Sequence, residues 1–214
     1  MKNLAIALAS VGVLIQTGCG AATQETPEAK TGKVAVDLSA APSGDYEQEF
    51  KHAYIAFSYN HKGLSRPILR WGEWDATLNW NQENPEASTV SVVIDAESID
   101  SGVEEFNGHL KGANFFDIEN YPEISFESTE ISNIVGNRGT MTGDLTIKDE
   151  THPVELGVTF NKAVFDDRKN ANLIGFSASG SVQRSQWGLD YAVPVVSDDV
   201  EITIEVEFIK PADE

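Results

Sequence analysis

Alternation of apolar and polar positions dominates the chain. Ala53, Ile55, Phe57 and Tyr59 share one parity, as do Trp74, Ala76, Leu78 and Trp80. The same holds for Val90, Val92 and Ile94, for Val154, Leu156, Val158 and Phe160, and for Phe176, Ala178, Gly180 and Val182. The last run is the clearest: Val200, Ile202, Ile204, Val206 and Phe208 alternate with Glu201, Thr203, Glu205 and Glu207. Successive side chains of a strand point to opposite faces, so each run predicts a strand with one buried and one solvated face. Turn signals separate the runs at Asn84-Pro85, Gly136-Asn137, Asp166-Asp167 and Ser197-Asp198-Asp199. With the pair Ile124 and Phe126 and the run 139–147, the pattern amounts to about eight long strands. Many alternating strands joined by turns predict an all-β antiparallel barrel or sandwich. No repeated helical segment points to a doubly wound fold.

Residues 98–129 break the alternation. Val103, Phe106 and Leu110 are three and four apart, which puts them on one side of a short helix. Glu104 and Glu105 occupy its first turn and Lys111 its last, as the helix dipole prefers, and Gly112 offers a stop. Phe115 and Phe116 follow, and Tyr121-Pro122 turns the chain into the next strand. An amphipathic plug with two adjacent aromatics, set between two strands, predicts a lid or end-cap for the sheet.

The same stretch carries a family resemblance. The run GHLKGANFFDIENYPEISFEST combines His109-Leu110-Lys111, Phe115-Phe116-Asp117, Tyr121-Pro122 and Phe126 with Ser128-Thr129, and it closely resembles the signature of the YceI-like domains. The runs 143–148 (GDLTIK) and 183–189 (QRSQWGL) are similar to later landmarks of that family, so the resemblance covers residues 34–210. It implies a lipocalin-like antiparallel barrel around an apolar tunnel, associated with polyisoprenoids and other long amphiphiles. The sequence departs from the family after His61, where GLSRPILRWGEWDATLNW brings Pro67, Trp71 and Trp74. Those tryptophans read as lining or narrowing one mouth, and ligand identity does not transfer from relatives on that account.

Composition bounds the partners. Net charge is −19. Nucleic-acid binding needs a basic surface, so none is expected, and the acidic body equally disfavours attraction to a surface of anionic lipid head groups. Residues 1–18 read as a signal peptide: Lys2 starts it, and the apolar or small-residue core 4–15 is too short to span a bilayer. Cys19, the only cysteine, sits where a bacterial lipoprotein carries its lipidated residue, although Gln16 stands where such boxes usually have Leu. An ordinary secretory cleavage that leaves a free thiol is the competing reading. Resemblance to lipoproteins, with Gly20 after the cysteine, implies an exported, periplasm-facing outer-membrane protein held only by its lipid anchor. Residues 19–33 are small and polar and read as a tether. The barrel domain is then 34–212. A homodimer is compatible with the sequence.

Candidate chemistry is sparse. The four histidines show no pair at i, i+2 or i, i+4, and no nucleophile elbow, phosphate loop or dinucleotide fingerprint is present. No enzyme activity, cofactor or metal is therefore expected. The inward parity mixes Phe57, Tyr59, Trp74, Trp80, Phe160, Phe176 and Phe208 with the small Ala76, Ala178 and Gly180. Periodicity alone fits a filled core equally well; the family resemblance tips the reading to a tunnel. His61, at the end of its strand, and these aromatics are the candidate ligand contacts. Arg184 is the candidate for a head group, through its fork of donors, or else it pins its own turn. His109 reads as holding the helix to the barrel. The expected function is non-catalytic binding, transport or sequestration of a long-chain amphiphile. The alternatives are a lipid-anchored interaction module with a filled core, in which residues 70–80 form an exposed patch, and an enzyme acting on such a lipid.

Overall fold

The computed structural model describes residues 36–212. The expectations for the signal peptide, Cys19 and the tether lie outside these residues. Twelve elements follow in chain order: β1 (Gly44–Gln48), β2 (Tyr54–His61), β3 (Ile68–Trp71), β4 (Trp74–Trp80), β5 (Thr89–Asp95), β6 (Ile99–Asp100), α1 (Glu104–Lys111), β7 (Glu123–Val135), β8 (Arg138–Ile147), β9 (Glu150–Asp166), β10 (Ala171–Gln183) and β11 (Val196–Pro211). Every strand pairing is antiparallel. Strands β1, β4, β5, β7, β8, β9, β10 and β11 follow one another around the sheet, and β1 pairs back onto β11. That pairing closes an eight-stranded barrel and removes its free edges.

The eight alternating runs of the sequence correspond to β2, β4, β5 and β7 to β11. The eight strands that close the barrel include β1 instead of β2. Strand β11 is long enough to serve both: Glu47 and Gln48 pair with Ile209 and Phe208, while Tyr54 to Tyr59 pair with Glu205 to Val200. Strands β1 and β2 are thus two halves of one track, broken at Phe50–His52 by a single 3₁₀ turn. From β2 the sheet continues to the short β3 and β6. Strand β1 lacks an alternating run because only Tyr46 carries a large apolar body; that residue is fully buried and donates its hydroxyl to the Pro42 carbonyl at 2.8 Å.

Register defines two ends. Trp74, Ile94, Glu123, Ile147 and Gln183 lie at one, beside α1 and the turn after His61. Trp80, Thr89, Val135, Arg138, Asp166 and Pro211 lie at the other, with the β7–β8 hairpin. A bulge between Gly175 and Phe176 pairs Phe176 with Phe160 and Ile174 with Ala163. The extra residue flips the parity of β9, so Ala163 packs inward where Lys162 would otherwise point. Two apolar clusters result. The larger, towards the helix end, holds Trp71, Leu110, Phe116, Ile124, Phe126, Leu156 and Trp187. The other, towards the hairpin end, holds Tyr46, Trp80, Phe160, Ile174 and Phe208.

The plug between β6 and β7 forms as expected, with one α-helix. Leu110 is buried and Phe106 packs against the larger cluster. Gly112 ends the helix, its N–H bonding the His109 carbonyl at 3.2 Å. Two details differ from expectation. Val103 caps the helix from outside and is 57% exposed, because the first turn lies beyond the barrel rim. His109 is also exposed, so Phe106 and Leu110 hold the helix down without it.

Candidate functional site

Inside the barrel is a cavity of about 630 Å³. Its lining runs from His61, Lys62 and Tyr191 at the helix end to Pro85, Ile134 and Arg138 at the hairpin end. Lys62, Tyr191, Ile134 and Arg138 are solvent-exposed lining residues, so the cavity reaches the surface at both ends. Between the ends the wall is apolar. It is built from the inward parity of each long strand: Val90, Val92 and Ile94 of β5, Val154 to Phe160 of β9, and Val200 to Phe208 of β11. The volume falls within the few hundred to about 1,000 Å³ of ordinary small-molecule sites.

All eight residues singled out as ligand contacts, Phe57, Tyr59, His61, Trp74, Trp80, Phe160, Phe176 and Phe208, line this cavity, and so does Arg184. They fall into groups. Towards the hairpin end Trp80 stacks on Phe160 (6.2 Å between centroids) and meets Phe176 edge-on (6.0 Å), and Phe176 meets Phe208 edge-on (6.2 Å). The Trp80 indole N–H donates to the Ala41 carbonyl at 3.0 Å, which fixes the ring. Towards the helix end Trp71 packs on Phe57 (5.8 Å) and edge-on against Phe116 (5.0 Å). Trp71 and Trp80 are buried and Trp74 half-buried, all on the lining. The run 70–80 is therefore not the exposed patch that an interaction module would use. Trp71 sits in the wall itself, joined to the plug through Phe116, and Phe115 of the plug meets Tyr191 at 5.4 Å beside the rim.

Both ends carry polar lining residues, Asn137 and Arg138 at the hairpin end among them, and the helix end carries more. Tyr59 and His61 continue the inward parity of β2, with Lys62 next and Arg184 also on the lining. Burial pushes the Tyr59 hydroxyl pKa up, and the nearby Arg184 charge only partly offsets this. Burial also lowers the Arg184 pKa, with Asp198, Asp190 and Tyr59 pulling it back. Arg184 pins its turn, but through carbonyls and not through a carboxylate. Its Nε donates to Ser197 O (2.9 Å), its Nη1 to Leu189 O and to Tyr191 O (3.1 Å), and its Nη2 to Val196 O (3.3 Å). Four of the five guanidinium N–H donors are engaged in this way, leaving one for anything else. Asp198 accepts from Ser185 N (2.8 Å) and Ser185 Oγ (2.6 Å). Trp187 is 1% exposed and donates to Leu145 O at 3.0 Å, locking the turn to β8.

One cluster outside the expected set comes together by tertiary structure. A ligand atom from each of Glu49, His52 and Glu207 lies within 4.8 Å of the others. Glu49 Oε2 is 2.8 Å from His52 Nδ1, and the Lys169 ammonium already stands 3.0 Å from Glu49 Oε1. Burial would raise the Glu49 pKa, but hydrogen bonds from Lys169 and His52 outweigh it and hold the carboxyl below its usual range. The arrangement is an ion-pair knot at the break between β1 and β2. Sequence reasoning also missed Lys62, Ile131, Arg138 and Met141 on the lining. Met141 and Ile131 are paired partners on β8 and β7. Met141 continues the inward parity of Leu145 and Ile147, but a bulge between Ser128 and Glu130 shifts Ile131 off the parity of Ile124 and Phe126, so alternation would have found only Met141. Lys62 sits in a turn and Arg138 is the first residue of β8 beside the hairpin turn, where period carries little signal.

The YceI-like domain model matches residues 46–208. The chain belongs to the YceI-like family. A UPF0312 protein of Pectobacterium atrosepticum is 30% identical over 165 residues, covering 77% of this chain and 85% of that one. Among solved structures, Burkholderia cenocepacia BcnA superposes with a TM-score of 0.68 at 20% identity, covering 75% of this chain and 98% of its own. A polyisoprenoid binding domain from Saccharophagus degradans, implicated in plant cell wall breakdown, superposes with a TM-score of 0.58 at 11% identity, covering 79% and 100%. At these identities the structural likeness establishes the barrel fold. Family membership agrees with the signature read in residues 108–129, and the closed eight-stranded barrel agrees with the fold expected from it.

Proposed function

We propose that this protein binds and carries, or sequesters, a long-chain amphiphile of the polyisoprenoid or fatty-acid class in its barrel, without catalysis. The observation that carries this reading is the apolar cavity of about 630 Å³, reaching the surface at both ends. The polyisoprenoid-binding neighbour supports the same ligand class. The energetics suffice. Each buried methylene contributes about 0.8 kcal/mol, so roughly 15 of them contribute on the order of 12 kcal/mol before ordering and association costs are subtracted. No acid, base or nucleophile is needed for that gain. A wall that reads methylenes discriminates mainly by length, so the more polar helix end is where selectivity would arise. We place the protein in the cell envelope, exported by residues 1–18 and anchored through acylated Cys19, with the barrel facing the periplasm. Several acyl chains suffice for stable anchoring where one is marginal.

Gentle native mass spectrometry of the protein recovered from bacterial envelopes tests both parts. A stoichiometric amphiphile released on solvent extraction, and a mature mass that begins at an acylated Cys19, are the expected results. An empty barrel that also refuses isoprenoids and fatty acids offered in excess would overturn the carrier reading. An unacylated amino terminus would overturn the anchor.

A further inference from the structure

Acidic residues outnumber basic ones 34 to 15 in this chain. The cavity wall reverses that ratio: among the described residues every formally charged side chain on it is basic, Lys62, Arg138 and Arg184, with no aspartate or glutamate. Exclusion of carboxylates from an apolar wall follows from desolvation cost, whereas Lys62 and Arg138 are exposed and keep their heads in water above long apolar stems, so the argument rests on where the cations stand and not on their sign alone. The cations are also unevenly placed. Two of the three, with His61 and the Tyr59 hydroxyl, are at the helix end.

Along β2 the inward residues run Ile55, Phe57, Tyr59, His61, from wholly apolar to polar as the mouth approaches. The turn that follows places Lys62 at the rim. Lys62 (φ 57°) and Gly63 (φ 73°) are both left-handed, Asn60 Oδ1 accepts from Gly63 N at 2.6 Å, and Leu64 N donates to His61 O at 2.9 Å. Among the described residues neither the Lys62 ammonium nor the His61 ring makes a hydrogen bond or ion pair. The nearby Glu201 is engaged by Arg66 at 3.0 Å, and Asp198 by Ser185. Arg184 holds carbonyls, but its charge remains beside the mouth. Asp198 and Asp190 offset the Arg184 charge, and Asp199 and Glu201 share an outer groove with Lys62 without pairing with it. What the helix end presents to the tunnel is therefore an unpaired ammonium and the free donors of Lys62 and His61.

From this we infer that the amphiphile carries an anionic head group, a carboxylate or a phosphate monoester, held at the helix end by Lys62 and His61 with its tail towards Trp80 and Phe160. The inference rests on the carrier reading above and names its ligand class. A neutral alcohol would leave the ammonium unpaired, and an amine would be repelled by it.

Trp74 and Trp80 line the tunnel, so intrinsic fluorescence of the purified full-length protein reports filling. Four probes with one tail, dodecanoate, dodecyl phosphate, dodecanol and dodecylamine, are titrated below their micelle-forming concentrations. At least one anion is expected to bind about tenfold or more tightly than dodecanol, the scale of a charge-assisted hydrogen bond, with dodecylamine weakest. Which anion leads separates a carboxylate from a phosphate ligand. In Lys62→Glu the ratio of anion to alcohol affinity should fall to about one or below. Equal affinities for anion and alcohol in the native protein, or a ratio unchanged in Lys62→Glu, would overturn the inference. So would a ratio abolished by Arg138→Glu alone, which would place the head at the hairpin end. If none of the four probes perturbs the tryptophans, the carrier reading itself fails and this inference falls with it.

Discussion

Small residues decide how close the wall can be drawn. Gly143 on β8 faces Phe126 on β7, and a Cβ there would stand 2.6 Å from the Glu127 carbonyl oxygen and from Phe126 Cε2. Backbone cannot retreat from such a contact without disturbing the β7–β8 ladder. Gly143→Ala should therefore destabilise the fold by about 1–3 kcal/mol, the range for overpacking, read from urea denaturation midpoints. Gly180 on β10 is similarly confined, with a Cβ 2.7 Å from Glu155 O and from Leu156 Cδ2. Its place in the alternating run of β10 is a requirement for close strand approach and not for a wider channel. Tyr46 shows the other extreme. Its ring is fully enclosed, burial pushes its pKa up to about 12, and its hydroxyl bonds Pro42.

At the scale of elements, the junction between β1 and β2 is the point of greatest structural consequence. The track along β11 is interrupted there, and the Glu49 N–H bonds Glu207 O at 2.8 Å while its side chain gathers Lys169 and His52. The Glu49 pKa is depressed in the folded protein. A depressed carboxyl stabilises the fold above its ordinary titration range, and the contribution is lost as pH falls through the folded value. Glu49→Gln should cost about 1–3 kcal/mol at neutral pH. The gap between variant and native protein should close on acidification, checked by thermal unfolding between neutral pH and pH ~3. A gap that is constant with pH would mean that the carboxylate charge contributes nothing at this junction. The plug between β6 and β7 is the second such element. It is held by Leu110, Phe106 and Phe116 on the core side and by Phe115 against Tyr191 beside the rim.

For the whole molecule, the decisive property is that a closed eight-stranded barrel has retained an unfilled axis. Bulk on that axis should compete with ligand directly. Ala178 of β10 lines the cavity beside the larger cluster. Ala178→Phe should raise the dissociation constant for a twelve-carbon amphiphile by about tenfold or more, since several methylenes at about 0.8 kcal/mol each lose their place. Secondary structure by circular dichroism should be retained, because the added ring fills space within the barrel. Unchanged affinity would show that the ligand lies elsewhere.

Much of this was readable before folding. The inward parity of β2, β4, β5, β8, β10 and β11, and of β7 and β9 up to their bulges, follows from a period of two that each strand carries in its own residues, and that parity alone selects Phe57, Trp74, Trp80, Phe160, Phe176 and Phe208 as interior. The plug was legible from the three- and four-residue spacing of its apolar positions, and the family from residues 108–129. Other features are properties of pairing between distant segments, which no local period encodes. Strand β1 displaces β2 from the closed ring because β11 is long enough to hold both. Glu49, His52 and Lys169 meet because that track breaks beside the β9–β10 turn. Arg184 turns to carbonyls because the chain from Leu189 to Ser197 wraps around it. Whether the interior is open or filled depends on the distance between opposite walls. Alternation specifies which residues face the axis; closure specifies how far apart they stand, and that separation left a tunnel.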